Sequence, residues 1–409
     1  MSSWAGCPRT ARLTGRPGRR RRRAGPVPYR SRGATLVVVA TGRTGEEAHR
    51  PDVDRDCMRL AIEAGAGSRG RTSPNPWVGA VLATADGALF TGATQPPGGP
   101  HAEVVALREA LHAGAPTAGA TLYVTLEPCS HRGRTPPCVE AIVAAGIGRV
   151  VAALEDPDPR VSGRGLSALA GAGVEVSVGV GAGEVVEQLA PYLKHRRTGR
   201  PWVTLKLACT LDGRTAAVDG TSRWITGPEA RADAHRLRAA HDAVMVGAGT
   251  VRADDPSLTV RHADGQDPLR VVLGVAPPGA RVHPALELTA PLGDVLTELG
   301  RRGVMSVLVE GGASVAHAFH TGGLVDRYVI YVAPALMGGS DGRPVLAGPG
   351  ANSIDGLWRG RFLGLLRLGD DLRIDLEPAP AVEPSPLVDL GPVPPVELPP
   401  PTAVAQAVS

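Results

Sequence analysis

Two stretches decide the fold expected for the first half of the chain: Pro100-His101-Ala102-Glu103 and Thr125-Leu126-Glu127-Pro128-Cys129-Ser130-His131-Arg132-Gly133-Arg134-Thr135-Pro136-Pro137-Cys138. One histidine and two cysteines are ligand types that zinc prefers. Three protein ligands leave a fourth position for water, which is typical of a catalytic zinc site. Glu103 follows His101 by two residues, so it is placed to move protons without binding the metal.

The pattern matches the H-x-E and P-C-x-x-C signature of zinc nucleobase deaminases, with a longer separation between Cys129 and Cys138. Two alternatives remain open at this point. A disulfide between these cysteines is one, although no secretory signal is expected at the start of the chain. A structural zinc site with His131 as fourth protein ligand is the other.

Composition and charge restrict the class of protein. The 409 residues are 43% hydrophobic and 21% charged, as in globular proteins. No apolar run reaches the ~18 residues of a membrane span. The formal net charge of +4 is uneven, because residues 1–50 carry +10 while the body and the tail each carry −3. The basic charge therefore belongs to an N-terminal arm, and the 3% aromatic content disfavours stacking on nucleic acid.

Four segments are predicted. Residues 1–54 form an Arg-rich extension and residues 378–409 a Pro-rich tail, and both are expected to be disordered. Helices alternate with short apolar strands between residues 55 and 197 and again between 202 and 377, which predicts two α/β domains. The basic stretch 195–201 is interpreted as the linker between them.

The individual elements follow from hydrophobic periodicity. In the first domain, helices are predicted at 56–64, 102–112, 139–145 and 166–172, and strands at 77–83, 88–91, 121–126, 149–154 and 174–178. In the second, helices are predicted at 228–240, 292–301 and 313–321, and strands at 202–208, 243–246, 270–273, 306–309, 327–332, 362–368 and 371–376.

The motifs together resemble the bifunctional deaminase–reductases of riboflavin biosynthesis over about residues 55–377. The resemblance rests on Asn75-Pro76-Trp77-Val78-Gly79, on the stretch Leu126 to Cys138 quoted above, on Glu155-Asp156-Pro157-Asp158-Pro159 and on Gly163-Arg164-Gly165. It implies a cytidine-deaminase-like α/β/α domain followed by a dihydrofolate-reductase-like α/β domain. It also implies two reactions: hydrolytic deamination of 2,5-diamino-6-(5-phosphoribosylamino)pyrimidin-4(3H)-one, then NADPH-dependent reduction of the ribosyl side chain to ribityl.

The resemblance also implies roles in the deaminase domain. His101, Cys129 and Cys138 are expected to bind one zinc ion per chain, and Glu103 to be the proton shuttle. Asn75 and His131 are expected to lie against the pyrimidine.

For the second domain the resemblance implies a cofactor site and a substrate site. The implied NADPH contacts are Ala208, Trp224, Thr250, Asp254, Val275, Gly312, Ala313, Ser314, Val315, Ala316, His317 and Ala318. The implied substrate contacts are Ser222, Arg238, Leu258, Arg261 and Glu310, with Lys206 and Asp212 as further candidates near the ribose. Arg238 and Arg261 suit a ribose phosphate, since a guanidinium fork binds phosphate well.

The cofactor site is expected to be of a non-Rossmann type. The GxGxxG fingerprint is missing, while Gly311 and Gly312 between a strand and a helix allow a phosphate to approach a helix N-terminus. Gly274-Val275 stands where many family members have Asp-Ser, and only about thirty residues follow before Met305. The wall of the cofactor site is therefore expected to be trimmed there.

Two functional alternatives follow. One is a deaminase with a purely structural second domain. The other is an RNA-modifying deaminase guided by the Arg-rich arm. The leading interpretation expects a small-molecule pyrimidine ribose phosphate as substrate, no nucleic-acid or membrane partner, a homo-oligomer and a cytoplasmic location.

Overall fold

The computed structural model describes residues 50–133 and 135–379. The disorder predicted for residues 1–49 and 380–409 lies outside these residues. Residues 50–54 belong to the predicted extension but form the first turns of a helix. Asp54 explains this difference, because its carboxylate accepts hydrogen bonds from Tyr123 (2.8 Å) and Arg149 (2.8 Å) and ties the helix to the sheet.

The first half folds as a five-stranded sheet with helices on both faces. Its helices are α1 (Arg50–Ala66), α2 (Ala102–His112), α3 (Cys138–Ala144), α4 (Arg164–Gly171), α5 (Ala182–Gln188) and α6 (Ala190–Thr198). Its strands are β1 (Gly79–Ala83), β2 (Leu89–Ala93), β3 (Thr121–Val124), β4 (Arg149–Ala152) and β5 (Glu175–Val178). The strand order is β2-β1-β3-β4-β5, antiparallel from β2 to β3 and parallel from β3 to β5.

The second half contains an eight-stranded sheet, also layered with helices, and a separate two-stranded sheet. Its helices are α7 (Pro228–Ala239), α8 (Ala248–Asp254), α9 (Leu292–Arg301) and α10 (Ala313–Thr321). Its strands are β6 (Trp202–Thr210), β7 (Arg214–Ala216), β8 (Ala243–Gly247), β9 (Leu269–Leu273), β10 (Leu286–Leu288), β11 (Ser306–Val309), β12 (Arg327–Ala333), β13 (Arg343–Pro344), β14 (Gly360–Leu368) and β15 (Asp371–Pro378).

The large sheet has the order β10-β9-β8-β11-β6-β12-β15-β14. The strands from β10 to β12 are parallel, and the hairpin β14–β15 adds antiparallel to β12. Strands β8 and β11 are buried along their whole length, because helices cover both faces of the parallel region. Their carboxyl ends meet at one edge of the sheet, where ligands bind in open α/β folds.

The predicted α/β fold class is confirmed, and several elements differ from the prediction. Helices α5, α6 and α8 and strands β7, β10 and β13 were not predicted. Strand β15 includes residue 378 of the predicted tail, and helix α6 extends through residues 195–198 of the predicted linker. Tyr192 and Leu193 are buried, so packing holds this polar segment in a helix. Across the described residues, no helix combines the length and apolar character needed to cross a bilayer.

One side chain from the second half is buried in the core of the first half. Met305 immediately precedes β11, yet it is fully buried among the core residues of the first half, which include Leu122, Ile142 and Tyr192. The two layered units are therefore packed against each other through a shared apolar contact.

Candidate active sites

Three metal-ligand side chains converge at the ends of secondary-structure elements in the first half. His101 precedes α2, Cys138 is the first residue of α3, and Cys129 lies in the loop after β3. The Nδ1 atom of His101 lies 3.5 Å from the Cys129 Sγ and 3.3 Å from the Cys138 Sγ. Ligand atoms bound tetrahedrally to zinc at about 2.1–2.3 Å are roughly 3.6 Å apart. The separations and the donor set therefore fit zinc.

The alternatives for this cluster do not fit the structure. Cys129 and Cys138 are free thiols. Within the described residues, the potential metal ligands that come together with His101 are these two cysteines, and His131 is not among them. The ligand set is thus of the three-residue type that leaves one position for water.

His131 has a different environment from the ligands. Its side chain is half-buried, and its Nδ1 atom is buried without a hydrogen-bond partner in the part of the chain that the structure describes. A buried polar atom of this kind is a candidate for contact with a ligand.

Glu103 lies in the first turn of α2 and is 3% exposed. Burial raises the pKa of its carboxyl group, while the charge of His101 opposes the shift. The pKa of the neighbouring Cys129 thiol is lowered, first by its hydrogen bond with Cys138 and then by its bond with His101. Glu103 is therefore a buried carboxyl group beside the metal ligands that can accept and return a proton.

The loop that carries Cys129 is stabilised by Glu127, a residue for which the sequence suggested no role. The buried Glu127 carboxylate accepts hydrogen bonds from the backbone N–H groups of Asp156 (3.1 Å), Gly163 (2.9 Å) and Gly165 (2.8 Å). A Cβ atom on Gly165 would lie 1.9 Å from the Pro128 carbonyl oxygen, so only glycine fits. In the sequence, Glu127 stands out only as an acidic residue after an apolar strand. Its hydrogen-bond partners lie about 30 to 40 residues further along the chain, so its role could not be predicted.

The second site is a cleft at the carboxyl ends of β6, β8, β9 and β11, with a volume of about 1490 Å³. Most of the predicted contact residues line it. These are Ala208, Trp224, Thr250, Asp254, Val275, Gly312, Ala313, Ser314, Val315 and Ala316 for the cofactor, and Lys206, Ser222, Arg238, Leu258, Arg261 and Glu310 for the substrate.

Three predicted contact residues lie elsewhere. His317 and Ala318 are beyond the cleft, since α10 carries them past its N-terminal end, and the His317 ring packs on Gly348. Asp212 also does not line the cleft. Its carboxylate accepts hydrogen bonds from the backbone N–H groups of Met337 (3.2 Å) and Gly338 (2.9 Å), so it fixes a turn.

The side of the cleft with the predicted cofactor contacts is built from backbone and small side chains. The N–H of Gly312 donates to the Thr250 Oγ1 at 2.9 Å, and a Cβ atom on Gly312 would lie 3.0 Å from that oxygen. Gly312 also precedes the N-terminus of α10, a position that favours phosphate. Trp224 is 70% exposed, with the Arg231 guanidinium 4.5 Å from its ring. Open volume, a helix N-terminus and an exposed ring suit an extended dinucleotide such as NADPH.

The short stretch after Gly274 still forms a wall of the cleft. The Gly274 N–H donates to the Leu288 carbonyl at 2.8 Å, which joins the end of β9 to β10. Val275, 63% exposed, lines the cleft. The short segment after β9 therefore lines the cleft and leads into β10, which pairs with β9.

The side of the cleft with the predicted substrate contacts contains a buried charge cluster. Arg238 donates to the Glu310 carboxylate, and the Lys206 Nζ lies 4.0 Å from the same carboxylate. Burial alone would raise the pKa of Glu310, but the two cations lower it to about 2. Burial lowers the pKa of the Lys206 ammonium group. Glu310 is therefore ionised at neutral pH.

His235 also lines the cleft, although the sequence suggested no role for it. Its Nδ1 atom accepts the backbone N–H of Arg261 at 3.2 Å. Burial and the neighbouring Arg238 charge lower the pKa of His235 to about 4, so the ring is neutral and can accept this bond. The sequence signal for His235 was its position as a polar residue on the buried face of helix α7.

Comparison with known proteins covers both halves. Residues 51–154 match the family described as the cytidine and deoxycytidylate deaminase zinc-binding region, and residues 201–374 match the RibD C-terminal domain. The riboflavin biosynthesis protein RibD of Mycobacterium tuberculosis is 45% identical over 336 residues, which is 78% of this chain and 96% of that protein. The chain belongs to the RibD family. RibD of Escherichia coli K12 is 38% identical over 366 residues, 79% of this chain and 99% of that protein.

Solved structures agree with the RibD assignment. RibD of Acinetobacter baumannii, in its form 1, is 38% identical, with a TM-score of 0.76 over 81% of this chain and 100% of that chain. A Thermotoga maritima protein is 33% identical, also with a TM-score of 0.76 over 81% of this chain and 100% of that one. Its name is diaminohydroxyphosphoribosylaminopyrimidine deaminase/5-amino-6-(5-phosphoribosylamino)uracil reductase.

As a RibD protein, the chain is a bifunctional enzyme of riboflavin biosynthesis, with a zinc-binding deaminase domain and an NADPH-dependent reductase domain. The predicted function class, zinc and NADPH are confirmed. The family match over residues 201–374 favours a reductase over a purely structural second domain. The matches also favour a small-molecule enzyme over an RNA-modifying deaminase.

Proposed function

We propose that the chain deaminates 2,5-diamino-6-(5-phosphoribosylamino)pyrimidin-4(3H)-one and then reduces the ribosyl side chain, giving 5-amino-6-(5-phosphoribitylamino)uracil. The observation that carries the proposal is the pairing of a three-ligand zinc cluster beside buried Glu103 with a separate cleft lined by Lys206, Arg238 and Glu310. Hydrolysis and hydride transfer need different sites, and the fold supplies both.

In the deaminase site, His101, Cys129 and Cys138 would hold the metal. Zinc bound there supplies a water molecule that is activated as a nucleophile near neutral pH. Glu103 takes the proton from the attacking water and returns it to the departing amino group, so that a C–O bond forms, a C–N bond breaks and ammonia leaves. The raised pKa of Glu103 suits a group that must hold that proton between the two events.

Asn75 and His131 would bind the pyrimidine. Support for His131 comes from its buried Nδ1 atom, which has no partner among the described residues and could bind a polar atom of the base. Asn75 ends a tight turn, in which its backbone N–H donates to the Thr72 carbonyl at 2.8 Å.

In the reductase site, Arg238 and Arg261 would bind the ribose phosphate. Arg238 uses three of its five N–H hydrogens on Glu310 and on the Thr259 carbonyl, which leaves one on each terminal nitrogen. Arg261 is exposed at the cleft and is held by Ser257 and Thr259. NADPH supplies the hydride. Lys206 lies beside Glu310 and would face the opened ribose.

We also infer a homo-oligomer. Strand β14 is the edge of the large sheet, and Phe362, Leu365 and Leu366 on it are 66%, 66% and 50% exposed. Large apolar side chains on an open strand edge favour pairing with a second copy. A cytoplasmic location is supported by the free thiols of Cys57 and Cys209 together with those of the metal cluster, which suit a reducing compartment.

A coupled assay with metal analysis tests the function. The purified chain should contain about one zinc per subunit, release ammonia from the first substrate and oxidise NADPH when given the deaminated product. Cys129→Ser should lose zinc and deamination together. Cys57→Ser is the matched control, because Cys57 is a buried free thiol in the same domain. Full zinc occupancy in Cys129→Ser contradicts the ligand assignment, and wild-type chain that oxidises neither NADPH nor NADH contradicts the reductase.

A further inference from the structure

The turn that leads to Asn75 is held by contacts within the deaminase half and by contacts with the reductase half. Thr72, fully buried, donates from its Oγ1 to the Asn75 carbonyl at 3.0 Å, and the Asn75 N–H returns a bond to the Thr72 carbonyl at 2.8 Å. Ser73, between them, points outward. Its Oγ donates to the carboxylate of Asp242, which precedes β8 of the reductase half.

Asp242 is itself fixed by the reductase half. Its Oδ2 accepts the backbone N–H groups of Met305 (2.9 Å) and Ser306 (2.9 Å), and also the Ser306 Oγ at 3.1 Å. These bonds leave Oδ1 directed at Ser73. A carboxylate that accepts several N–H groups is a strong and well-oriented acceptor. Asp242 is therefore a rigid point against which the deaminase turn is placed.

Backbone contacts close the same interface on either side of Ser73. A Cβ atom on Gly70, whose φ is +77°, would lie 2.3 Å from the Ala239 carbonyl at the end of α7. On the other side, a Cβ atom on Gly303, in the turn before β11, would lie 3.6 Å from the Pro74 Cβ. The turn thus sits in close contact with the reductase half and has little room to shift.

After the turn, the chain enters the deaminase site. Strand β1 begins at Gly79, whose N–H donates to the Thr125 Oγ1 at 3.1 Å, and the Thr125 N–H donates back to the Gly79 carbonyl at 3.0 Å. Thr125 lies at the start of the stretch that ends in Cys138. A displacement of the turn would therefore move Asn75 relative to the loop after β3, which carries Cys129.

We propose that Asp242 of the reductase half is a positioning residue for the deaminase, which it serves by holding the Ser73 turn and so placing Asn75 against the pyrimidine. The inference rests on the proposed role of Asn75 and adds to it a dependence of deamination on the second domain. It assigns no part in deamination to the reductase cleft.

Ser73→Ala in the full-length, zinc-loaded chain tests the link. Loss of one hydrogen bond to a charged acceptor should raise the KM for deamination roughly tenfold, with a smaller change in kcat. Zinc content and NADPH oxidation with the deaminated product should stay at wild-type values. Ser73→Thr keeps the hydroxyl, so its KM for deamination should equal that of wild type. If the effect of Ser73→Ala came from a general structural defect, Ser73→Thr would not restore the KM.

Thr321→Ala is the control. It removes an exposed hydroxyl of the reductase half that donates to the His317 carbonyl at 2.9 Å and takes no part in the contact between Ser73 and Asp242, so the deamination KM should stay unchanged. Gly70→Ala is the second variant, because its new Cβ would force the turn away from Ala239. It should raise the deamination KM more than Ser73→Ala does.

Hydrogen exchange separates failure of this link from failure of the proposed function. The Asn75 amide, which donates within the turn, should exchange faster in Ser73→Ala than in wild type, whatever substrate the enzyme uses. Unchanged exchange at this amide, or wild-type KM values in both Ser73→Ala and Gly70→Ala, would overturn the proposal. Wild-type chain that releases no ammonia, together with faster exchange in Ser73→Ala, would contradict only the proposed reaction.

Discussion

The Glu310 carboxylate accepts two hydrogen bonds from the Arg238 guanidinium, at 2.5 Å from Nε to Oε1 and 2.9 Å from Nη2 to Oε2. Both side chains are largely buried, with exposed fractions of 8% for Glu310 and 13% for Arg238. The fork is therefore fixed in orientation before any substrate arrives. Its remaining N–H groups are the ones available to a phosphate.

Glu310→Gln should both weaken binding of the reductase substrate and lower the stability of the fold. The change leaves the Arg238 charge buried with a neutral partner, so we expect a loss of stability of about 3 kcal/mol. It should also raise the KM for the deaminated intermediate, measured by NADPH oxidation at fixed cofactor. Glu298→Gln is the matched control, since that glutamate pairs with Arg302 at the surface and should cost under about 1 kcal/mol. Wild-type stability and KM in Glu310→Gln would contradict the assignment.

Glu103→Gln should separate proton transfer from metal binding. The amide that replaces the carboxyl group keeps the size of the side chain but cannot shuttle a proton, so deamination should fall by roughly 10²-fold or more. Zinc content and NADPH oxidation should remain at wild-type values. Glu140→Gln, which changes an exposed carboxylate on α3, serves as the control and should deaminate normally. Normal turnover in Glu103→Gln would place the proton shuttle on another residue.

Gly312→Val should weaken NADPH binding and leave deamination unchanged. The new side chain would press on the Thr250 Oγ1, which lies 3.0 Å from the Cβ position, and would crowd the N-terminus of α10. The KM for NADPH should rise while deamination is unchanged, as measured by absorbance at 340 nm and ammonia release. Gly293→Val on α9 is the control, since the nearest atom to its Cβ is 3.8 Å away. An equal effect of both substitutions on the NADPH requirement would rule out a specific role for Gly312.

Asp156 should make the fold less stable as the pH rises from about 4 to about 6. Burial raises the pKa of its carboxyl group to about 6, although Tyr192 and the Asp158 N–H donate to it. Between the ordinary pKa and this value the folded chain holds a proton that the unfolded chain has released, so stability falls with rising pH. The loss should total about 3 kcal/mol and be complete above pH 6.

Asp156→Asn removes this titration. The free energy of unfolding of the variant, minus that of wild type, should increase by about 3 kcal/mol between pH 4 and pH 7 in urea titrations. Other titrating groups cancel in this difference, since they are common to both chains. A difference that does not change with pH would show that Asp156 is ionised in the folded chain throughout this range.

The sequence predicted the metal cluster and the two layered sheets because both depend on local patterns. His101, Cys129 and Cys138 are recognisable by ligand type and spacing, and the strands by short apolar runs. Glu127 was not predictable in its role, since its partners are backbone N–H groups of a loop brought close only by the fold. Position along a helix decides which residues reach a cleft, so His317 was expected at the cofactor but lies past it.

Met305 gives the chain an order of assembly. Its side chain completes the apolar interior around Leu122 and Ile142, but the ribosome adds it long after Thr198, the last residue of α6. Domains generally fold as units during synthesis, with the N-terminal one first. Here the first half of the chain is synthesised before Met305, so its core lacks that side chain until residue 305 has been added. The deaminase half can therefore reach this packing only after Met305 has been synthesised, and a chain that stops before residue 305 lacks that core side chain.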